Sequence, residues 1–228
     1  MKKIILLAFL LPSFCFSQTK TELEVFGNSR GSVFDVFNRT FKSYSGIDGS
    51  PYLDGFFHPI SIEGYGKKLP NVRYNAYEDE MEFMIGEDLN YVVKQNDLRL
   101  TFSDIDKTYL LTHYQFEGKN IFGYLVELLG AGKYKLYKKE KIQIVEYNNN
   151  TTNTYLKDKN PYFEREKDIY LINDNGIYKK LPKNIKDLIS LLNIANDQSV
   201  LDFAKSSNIN LKNENDQIKL FQFINSSK

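Results

Sequence analysis

Residues 108–129 read TYLLTHYQFEGKNIFGYLVELL, two apolar and aromatic runs on either side of a short polar segment. The runs are residues 108–116 and 121–129, and the segment between them, residues 117–120, is Glu-Gly-Lys-Asn. Two runs of strand-forming residues joined by a few polar residues that include glycine are typical of a β-hairpin. This pattern predicts antiparallel sheet at the centre of the chain.

Strand patterns continue on both sides of this hairpin. Residues 98–102 alternate between apolar and polar side chains, and residues 134–139 follow a Gly-Ala-Gly turn. A second hairpin is predicted from residues 168–172 and 177–181, because the Asn-Asp-Asn-Gly between them contains residues that tolerate positive φ. The middle of the chain therefore reads as successive antiparallel strands.

Residues 72–85 contain a change of phase. Apolar side chains occupy even positions in residues 72–76 and mainly odd positions in residues 81–85. A period-two pattern that changes face needs an inserted residue. We therefore predict a β-bulge or a tight turn over residues 77–80.

After Leu181 the periodicity becomes helical, and two or three short helices are expected. Pro182 can begin the first helix and Asp197 can cap the second. Asn213, with Asp216 three residues later, resembles a capping box before a third helix. The apolar stripe of the first helix consists of Ile185, Leu188, Ile189 and Leu192.

Together these patterns predict an α+β fold. The sheet is expected to be largely antiparallel, either curved or barrel-like, with a small C-terminal helical element. The strand-rich body spans residues 18–181, and the helices of residues 182–228 are expected to pack on the same domain. The just over 200 residues after position 17 suffice for one complete hydrophobic core.

The first residues have the layout of a secretory signal peptide. Lys2 and Lys3 precede an almost purely apolar run, residues 4–16, which the small Ser17 closes. That run is shorter than the roughly 20 apolar residues that a membrane-spanning helix needs. We therefore expect residues 1–17 to be removed on export, and the protein to work in the periplasm, at the outer membrane or outside the cell.

Cys15 decides between two forms of the exported protein. A lipoprotein signal has a small residue before the lipidated cysteine and an aliphatic residue three positions before it, whereas this chain has Phe14 and Pro12 there. Cleavage after Ser17 is therefore favoured over lipidation at Cys15. Since Cys15 is the only cysteine, its removal would exclude a disulfide, a thiolate nucleophile and a cysteine-based metal site.

The net charge and the apolar stretches of the sequence limit the classes of partner that we expect. Thirty Lys and Arg residues against 29 Asp and Glu residues leave a formal charge of +1, which provides no electrostatic footprint for nucleic acid. No apolar stretch after the first is long enough for a transmembrane helix. The 16 tyrosines and 17 phenylalanines favour strands.

The strongest chemical candidates form an acidic cluster, Glu78, Asp79, Glu80 and Glu82. Paired carboxylates can serve as general acid and base or bind Ca²⁺, but a solvated turn followed by the outer face of a strand explains the pattern better. His58 and His113 are the only imidazoles, and no Gly-x-Ser-x-Gly motif accompanies them. We therefore assign no catalytic, cofactor or metal site, and keep the acidic cluster and His113 as weak catalytic candidates.

Aromatic side chains are concentrated in the central strands. They could line an apolar or carbohydrate-binding cavity, but cross-strand packing already explains their spacing. The residues are Tyr109, Tyr114, Phe116, Phe122, Tyr124, Tyr134 and Tyr137.

Three short segments resemble a recurrent pattern in uncharacterised exported proteins of Bacteroidota. The segments are Gly-Ser-Pro-Tyr-Leu at residues 49–53, Arg-Tyr-Asn-Ala-Tyr at 73–77 and Asp-Glu-Met-Glu-Phe at 79–83. Residues 14–18 are similar to the ends of signal peptides in that phylum. The resemblance implies an envelope or secreted location, and it transfers no activity and no catalytic residue.

Three functions remain open. The first is a non-catalytic envelope protein that acts as a binding or assembly module for an envelope protein or another ligand. The second is a carrier for an apolar or lipid-like ligand in a curved, aromatic-lined sheet. The third is a hydrolase that uses the carboxylates of residues 78–82.

Overall fold

A computed structural model describes Phe34 and residues 43–63, 69–147, 160–195 and 197–227. The signal-peptide prediction for residues 1–17, and with it Cys15, lies outside these residues.

The described residues form twelve strands and three helices. The strands are β1 (Ile60–Ile62), β2 (Val72–Asn75), β3 (Glu80–Ile85), β4 (Asp88–Tyr91), β5 (Leu98–Phe102), β6 (Lys107–Phe116), β7 (Lys119–Leu129), β8 (Tyr134–Lys139), β9 (Ile142–Val145), β10 (Tyr162–Arg165), β11 (Ile169–Asp174) and β12 (Ile177–Lys180). The helices are α1 (Ile185–Leu192), α2 (Asp197–Ser206) and α3 (Glu214–Ser226). A mostly antiparallel sheet structure with three helices confirms the α+β class.

Seven strands form the main sheet, in the order β1-β5-β6-β7-β8-β11-β12, with every neighbouring pair antiparallel. Two smaller antiparallel sheets accompany it, β2-β3-β4 and β9-β10. The strands β1, β4 and β10 were not predicted from the sequence, because each has at most four residues and too little alternation to stand out.

Both predicted hairpins are confirmed. Lys119 and Asn120 pair with Phe116 and Gln115, so the connection between β6 and β7 is shorter than predicted. The connection between β11 and β12 is an Asn-Gly pair, Asn175 at φ 51° and Gly176 at φ 87°. Positive φ at both central residues suits the twist of a two-residue hairpin.

The change of phase in residues 72–85 is a tight turn, one of the two predicted alternatives, and it spans residues 76–79 instead of 77–80. β2 and β3 pair from Val72 opposite Phe83 to Asn75 opposite Glu80, and the residues between the strands form the turn. Asp79 adopts a left-handed φ of 57° there, a conformation that aspartate tolerates better than most residues.

The main sheet bends without closing, so the barrel-like alternative is wrong for the described strands. Side chains of β12 reach β6, four positions away in the sheet order, where the rings of Tyr178 and Tyr114 lie 5.9 Å apart. Closure at this point is impossible because β6 already pairs with β5 on one edge and β7 on the other. The approach of β12 therefore leaves a groove instead of a continuous ladder.

Apolar side chains form three buried clusters around the main sheet. One joins Leu100, Tyr109 and Leu111 of the main sheet to Met81 and Phe83 of β3. A second cluster joins β8 and β11 to the helices and contains Leu136, Ile172, Leu188, Val200 and Leu220. The third consists of Leu110, Tyr114, Leu125, Tyr137 and Leu171. The helices thus pack on β8 and β11 of the main sheet.

The helix boundaries follow capping chemistry. Asn213 caps α3 as predicted, because its side chain accepts a hydrogen bond from the backbone N–H of Asp216. α1 is capped by Asn184 instead of beginning at Pro182. Asp197 lies in the first turn of α2 and not before it, where its charge still suits the helix dipole. None of the described helices is both long and apolar enough to cross a membrane.

Candidate functional site

Glu82, one of the predicted acidic candidates, lies in a buried hydrogen-bond network. Its side chain on β3 is almost fully buried. Its Oε2 accepts hydrogen bonds from Arg73 Nε at 2.8 Å and from the Tyr52 hydroxyl at 2.9 Å. Its Oε1 accepts one from Asn75 Nδ2 at 2.8 Å. The expectation that Glu82 occupies the outer face of a strand is therefore wrong.

The segment of residues 51–58 explains this burial. His58 exchanges two backbone hydrogen bonds of 2.8 Å with Val72, and the Pro51 carbonyl accepts one from Ala76, so the segment runs along β2. It brings Tyr52 over Arg73, whose guanidinium carbon lies 3.9 Å from the ring centroid. The segment covers the face of β2 and β3 that carries Arg73 and Glu82, a face that the alternating sequence pattern alone would predict to be solvent-exposed.

Asp79 holds the β2–β3 turn against the main sheet. Its Oδ1 accepts hydrogen bonds of 2.6 Å from Lys139 Nζ and from the Tyr74 hydroxyl. The backbone N–H of Tyr124 also donates to this carboxylate. A Cβ on Gly123 would collide with Asp79 Oδ2, so a larger residue there would displace the Asp79 carboxylate. Burial lowers the pKa of Lys139, although the Asp79 charge opposes that change.

The two remaining acidic candidates also make contacts within the protein. Glu78 accepts a hydrogen bond of 2.9 Å from the Tyr91 hydroxyl, and Glu80 lies 3.3 Å from Lys94 Nζ. Each carboxylate of the predicted cluster thus contacts its own set of partners. Among the residues that the structure describes, no group of three or more His, Cys, Asp and Glu side chains is arranged to hold a metal ion.

His58 lies in a second polar cluster. Its buried ring stacks on Phe102, with 5.0 Å between the ring centroids. Nδ1 lies 2.9 Å from Asp104 Oδ2, and Nε2 lies 3.2 Å from Asp54 Oδ2. His58 therefore joins the segment of residues 51–58 to the turn between β5 and β6.

The pKa of the Asp104 carboxyl is lowered below its ordinary value of 3.8, chiefly by the hydrogen bond from His58. Since the folded pKa lies below the unfolded one, this contact stabilises the fold at pH values above the unfolded pKa, and its contribution is lost as the pH falls through the lowered pKa.

In His58→Phe, which keeps an aromatic ring on Phe102, we expect the Asp104 pKa to return towards its ordinary value. Carboxyl ¹³C NMR titration measures it. His113→Phe is the control and should leave Asp104 unchanged, whereas equal titration of Asp104 in wild type and His58→Phe would disprove the coupling.

His113, the other imidazole candidate, is exposed on β6. Its ring stacks on that of Phe122 across the hairpin, with 4.3 Å between the centroids. The hydrolase candidates do not converge on it, because the carboxylates of residues 78–82 contact other side chains. His113 instead lines the groove left by the approach of β12 to β6.

This groove has a volume of about 600 Å³. One wall comes from the start of β5 and from β6, and the other comes from β8, β11 and β12. The polar and aromatic side chains that we refer to below as the groove residues are Asp97, Arg99, Thr112, Lys135, Tyr137, Asn173 and Tyr178. A second cavity of about 410 Å³ shares His113 and Tyr178 with it.

Arg99 and Asp97 at this groove are held by their neighbours. Arg99 Nη1 donates to Glu127 Oε1 at 2.9 Å, and the other oxygen of Glu127 is buried without a hydrogen-bond partner in the described part of the chain. Burial, together with the charge of Glu127, raises the pKa of Tyr137, so its hydroxyl stays a donor. Asp97 accepts a hydrogen bond from Asn96 Nδ2 at 2.8 Å.

Sequence reasoning missed most of the groove residues. Tyr137 was among the aromatic candidates, but Arg99, Lys135 and Tyr178 lie on three different strands and belong to no motif. The sequence pattern that could have identified them is weak, because it consists only of polar side chains at alternate positions of strands whose other face is buried. Only the pairing order shows that these positions share one face.

Comparison with protein-family models, with curated proteins and with solved structures finds no match for this chain.

Proposed function

We propose that this chain is an exported, non-catalytic binding module that holds a small polar ligand in the groove between β6 and β12. The main support for ligand binding is the groove itself, because its volume of about 600 Å³ lies in the range of small-molecule sites. The cationic start and apolar run of residues 1–17 support export.

The lining of the groove favours a polar ligand over a lipid. Its aliphatic residues are limited to Ile62, Leu98 and Leu110, and most of the other lining residues carry polar or charged groups. A lipid-like ligand would strip water from Arg99 and Lys135 without replacing their hydrogen bonds, which is costly. This argues against the apolar carrier.

The hydrolase alternative is less well supported because its carboxylates are used in the fold. Both oxygens of Glu82 accept hydrogen bonds, and Asp79 is paired with Lys139. A general acid or base must reach a substrate proton, whereas Glu82 is 1% exposed.

A thermal-shift screen tests this function. The library contains sugars, amino acids, nucleotides and fatty acids, and a ligand at 100 times its Kd should stabilise the fold by about 2.7 kcal/mol. Lys135→Glu reverses a charge at the groove, where the side chain has no ion-pair partner among the described residues. We expect this variant to lose the rise in Tm that a polar compound gives the wild type.

Lys186→Glu is the matched control, because Lys186 is exposed on α1 and away from the groove residues. It should keep the rise in Tm. A library in which no compound raises the wild-type Tm, or in which Lys135→Glu responds like wild type, would overturn the proposal. Stabilisation by fatty acids alone would support the apolar carrier instead.

A further inference from the structure

We infer that the ligand of this groove is a short neutral saccharide. The inference rests on the proposed function and adds the chemical class of the ligand. Three properties of the lining support it: a balanced charge, a tyrosine whose ring packs on two buried tyrosines, and planar side chains that together donate and accept hydrogen bonds.

The charge of the lining is balanced. Its Asp, Glu, Lys and Arg residues are Glu63, Asp97, Arg99 and Lys135, two carboxylates and two cations. Arg99 forms an ion pair with Glu127 at 2.9 Å, so it offers an anion no uncompensated positive charge. A site for phosphate or a polyanion would concentrate one sign of charge, and this lining does not. A ligand without net charge fits it best.

Tyr178 supplies an aromatic surface in a fixed position. Its ring centroid lies 5.9 Å from that of Tyr114 and 5.7 Å from that of Tyr137, and both of these tyrosines are buried. Tyr178 itself is only partly buried and lines the groove. The C–H face of a pyranose ring is apolar and packs on such rings. A tyrosine offers this area at a low cost in conformational entropy.

Planar polar groups also line the groove. Arg99 donates, Asp97 accepts, and Asn173 can do both. A sugar hydroxyl also donates and accepts, so neighbouring hydroxyls can pair with such groups two at a time.

These planar groups are ordered before any ligand arrives. Asn173 Oδ1 accepts from the backbone N–H of Gly176 at 2.8 Å, and Asp97 is bonded by Asn96. The Glu127 carboxylate holds Arg99 and leaves the remaining guanidinium N–H groups to contact other acceptors. Pre-ordering of the side chains reduces the entropy that binding must offset.

The test is a printed array of neutral glycans that covers hexose, pentose and N-acetylhexosamine linkages, with the Kd of each hit measured by calorimetry on the full exported chain. We expect at least one glycan to bind. Tyr178→Ala should weaken it at least tenfold, while Tyr178→Phe should keep most of the affinity because the ring remains. Tyr147→Ala is the matched control, since Tyr147 is 41% exposed and does not line the groove.

The outcomes separate the inference from the function on which it rests. If no glycan binds but an amino acid or nucleotide stabilises the wild type and not Lys135→Glu, the saccharide is wrong and the binding module stands. If no compound of either collection binds, both are wrong. Glycan binding that Tyr178→Ala leaves unchanged would overturn the assignment of the groove as the saccharide site.

Discussion

Glu82→Gln is expected to lower the free energy of unfolding by about 3–5 kcal/mol, the range found when one partner of a buried ion pair is removed. Glu82 is 1% exposed, and Arg73 Nε donates to it at 2.8 Å. Glutamine removes the negative charge, so the largely buried Arg73 loses its counter-ion. The new amide also places donor hydrogens beside groups that already donate, Arg73 and Asn75.

Urea unfolding followed by circular dichroism measures this loss. Glu87→Gln is the matched control, because Glu87 is exposed in the turn between β3 and β4. A surface substitution of this kind should stay within about 0.5 kcal/mol of wild type. If the two variants unfold at the same urea concentration, the Glu82 network does not stabilise the fold as described.

The second large effect is expected for Asp79→Asn, again about 3–5 kcal/mol at neutral pH. The substitution removes the charge that faces Lys139 Nζ, on a side chain that is only 11% exposed in the fold. The uncharged amide can replace some hydrogen bonds of Asp79 but not its attraction for the ammonium group.

The pH dependence of this loss follows from the pKa of Lys139. Burial already holds that pKa below its ordinary value of 10.5, and removing Asp79 should lower it further. Between the lowered folded pKa and the ordinary unfolded one, the unfolded chain binds more protons, so stability rises with pH. The difference between Asp79→Asn and wild type should therefore narrow as the pH is raised above neutral.

A double-mutant cycle with Lys139→Met separates the ion pair from the packing. Because an apolar residue of similar size often replaces a buried charge at little cost, Asp79→Asn with Lys139→Met should be more stable than Asp79→Asn alone. Asp88→Asn, on an exposed residue of β4, is the control. A loss that is independent of pH, with no recovery in the double variant, would contradict the role given to Lys139.

The hairpins show how much of the fold local sequence can predict. The β6–β7 and β11–β12 pairs were predicted because strand alternation and turn chemistry act within a few residues. The tight turn before β3 was found from the change of phase alone. Asn213 was predicted as a helix cap because its hydrogen bond is local too.

The candidate site was harder to predict because its contacts are distant in sequence. Asp79 and Lys139 are 60 residues apart, and His58 and Asp104 are 46 apart. In an isolated hairpin, the alternation around Glu82 would place its side chain on a solvent-exposed face. In the folded protein, the segment of residues 51–58 covers that face. Nothing in the period-two pattern indicates such a cover.

The sequence by itself determined the α+β class, the main hairpins and the helical end of the chain, since these depend on periodicity and turn chemistry. The tertiary structure decided which carboxylates are buried, that the main sheet stays open, and that Arg99 and Tyr178 face one groove. The physical reason is that side-chain alternation specifies a face for each strand, whereas pairing order and bending decide which faces meet. The central hairpin of residues 108–129 illustrates both effects. Its strand register is set by local sequence, whereas the contact of β12 with β6 depends on the bending of the whole sheet.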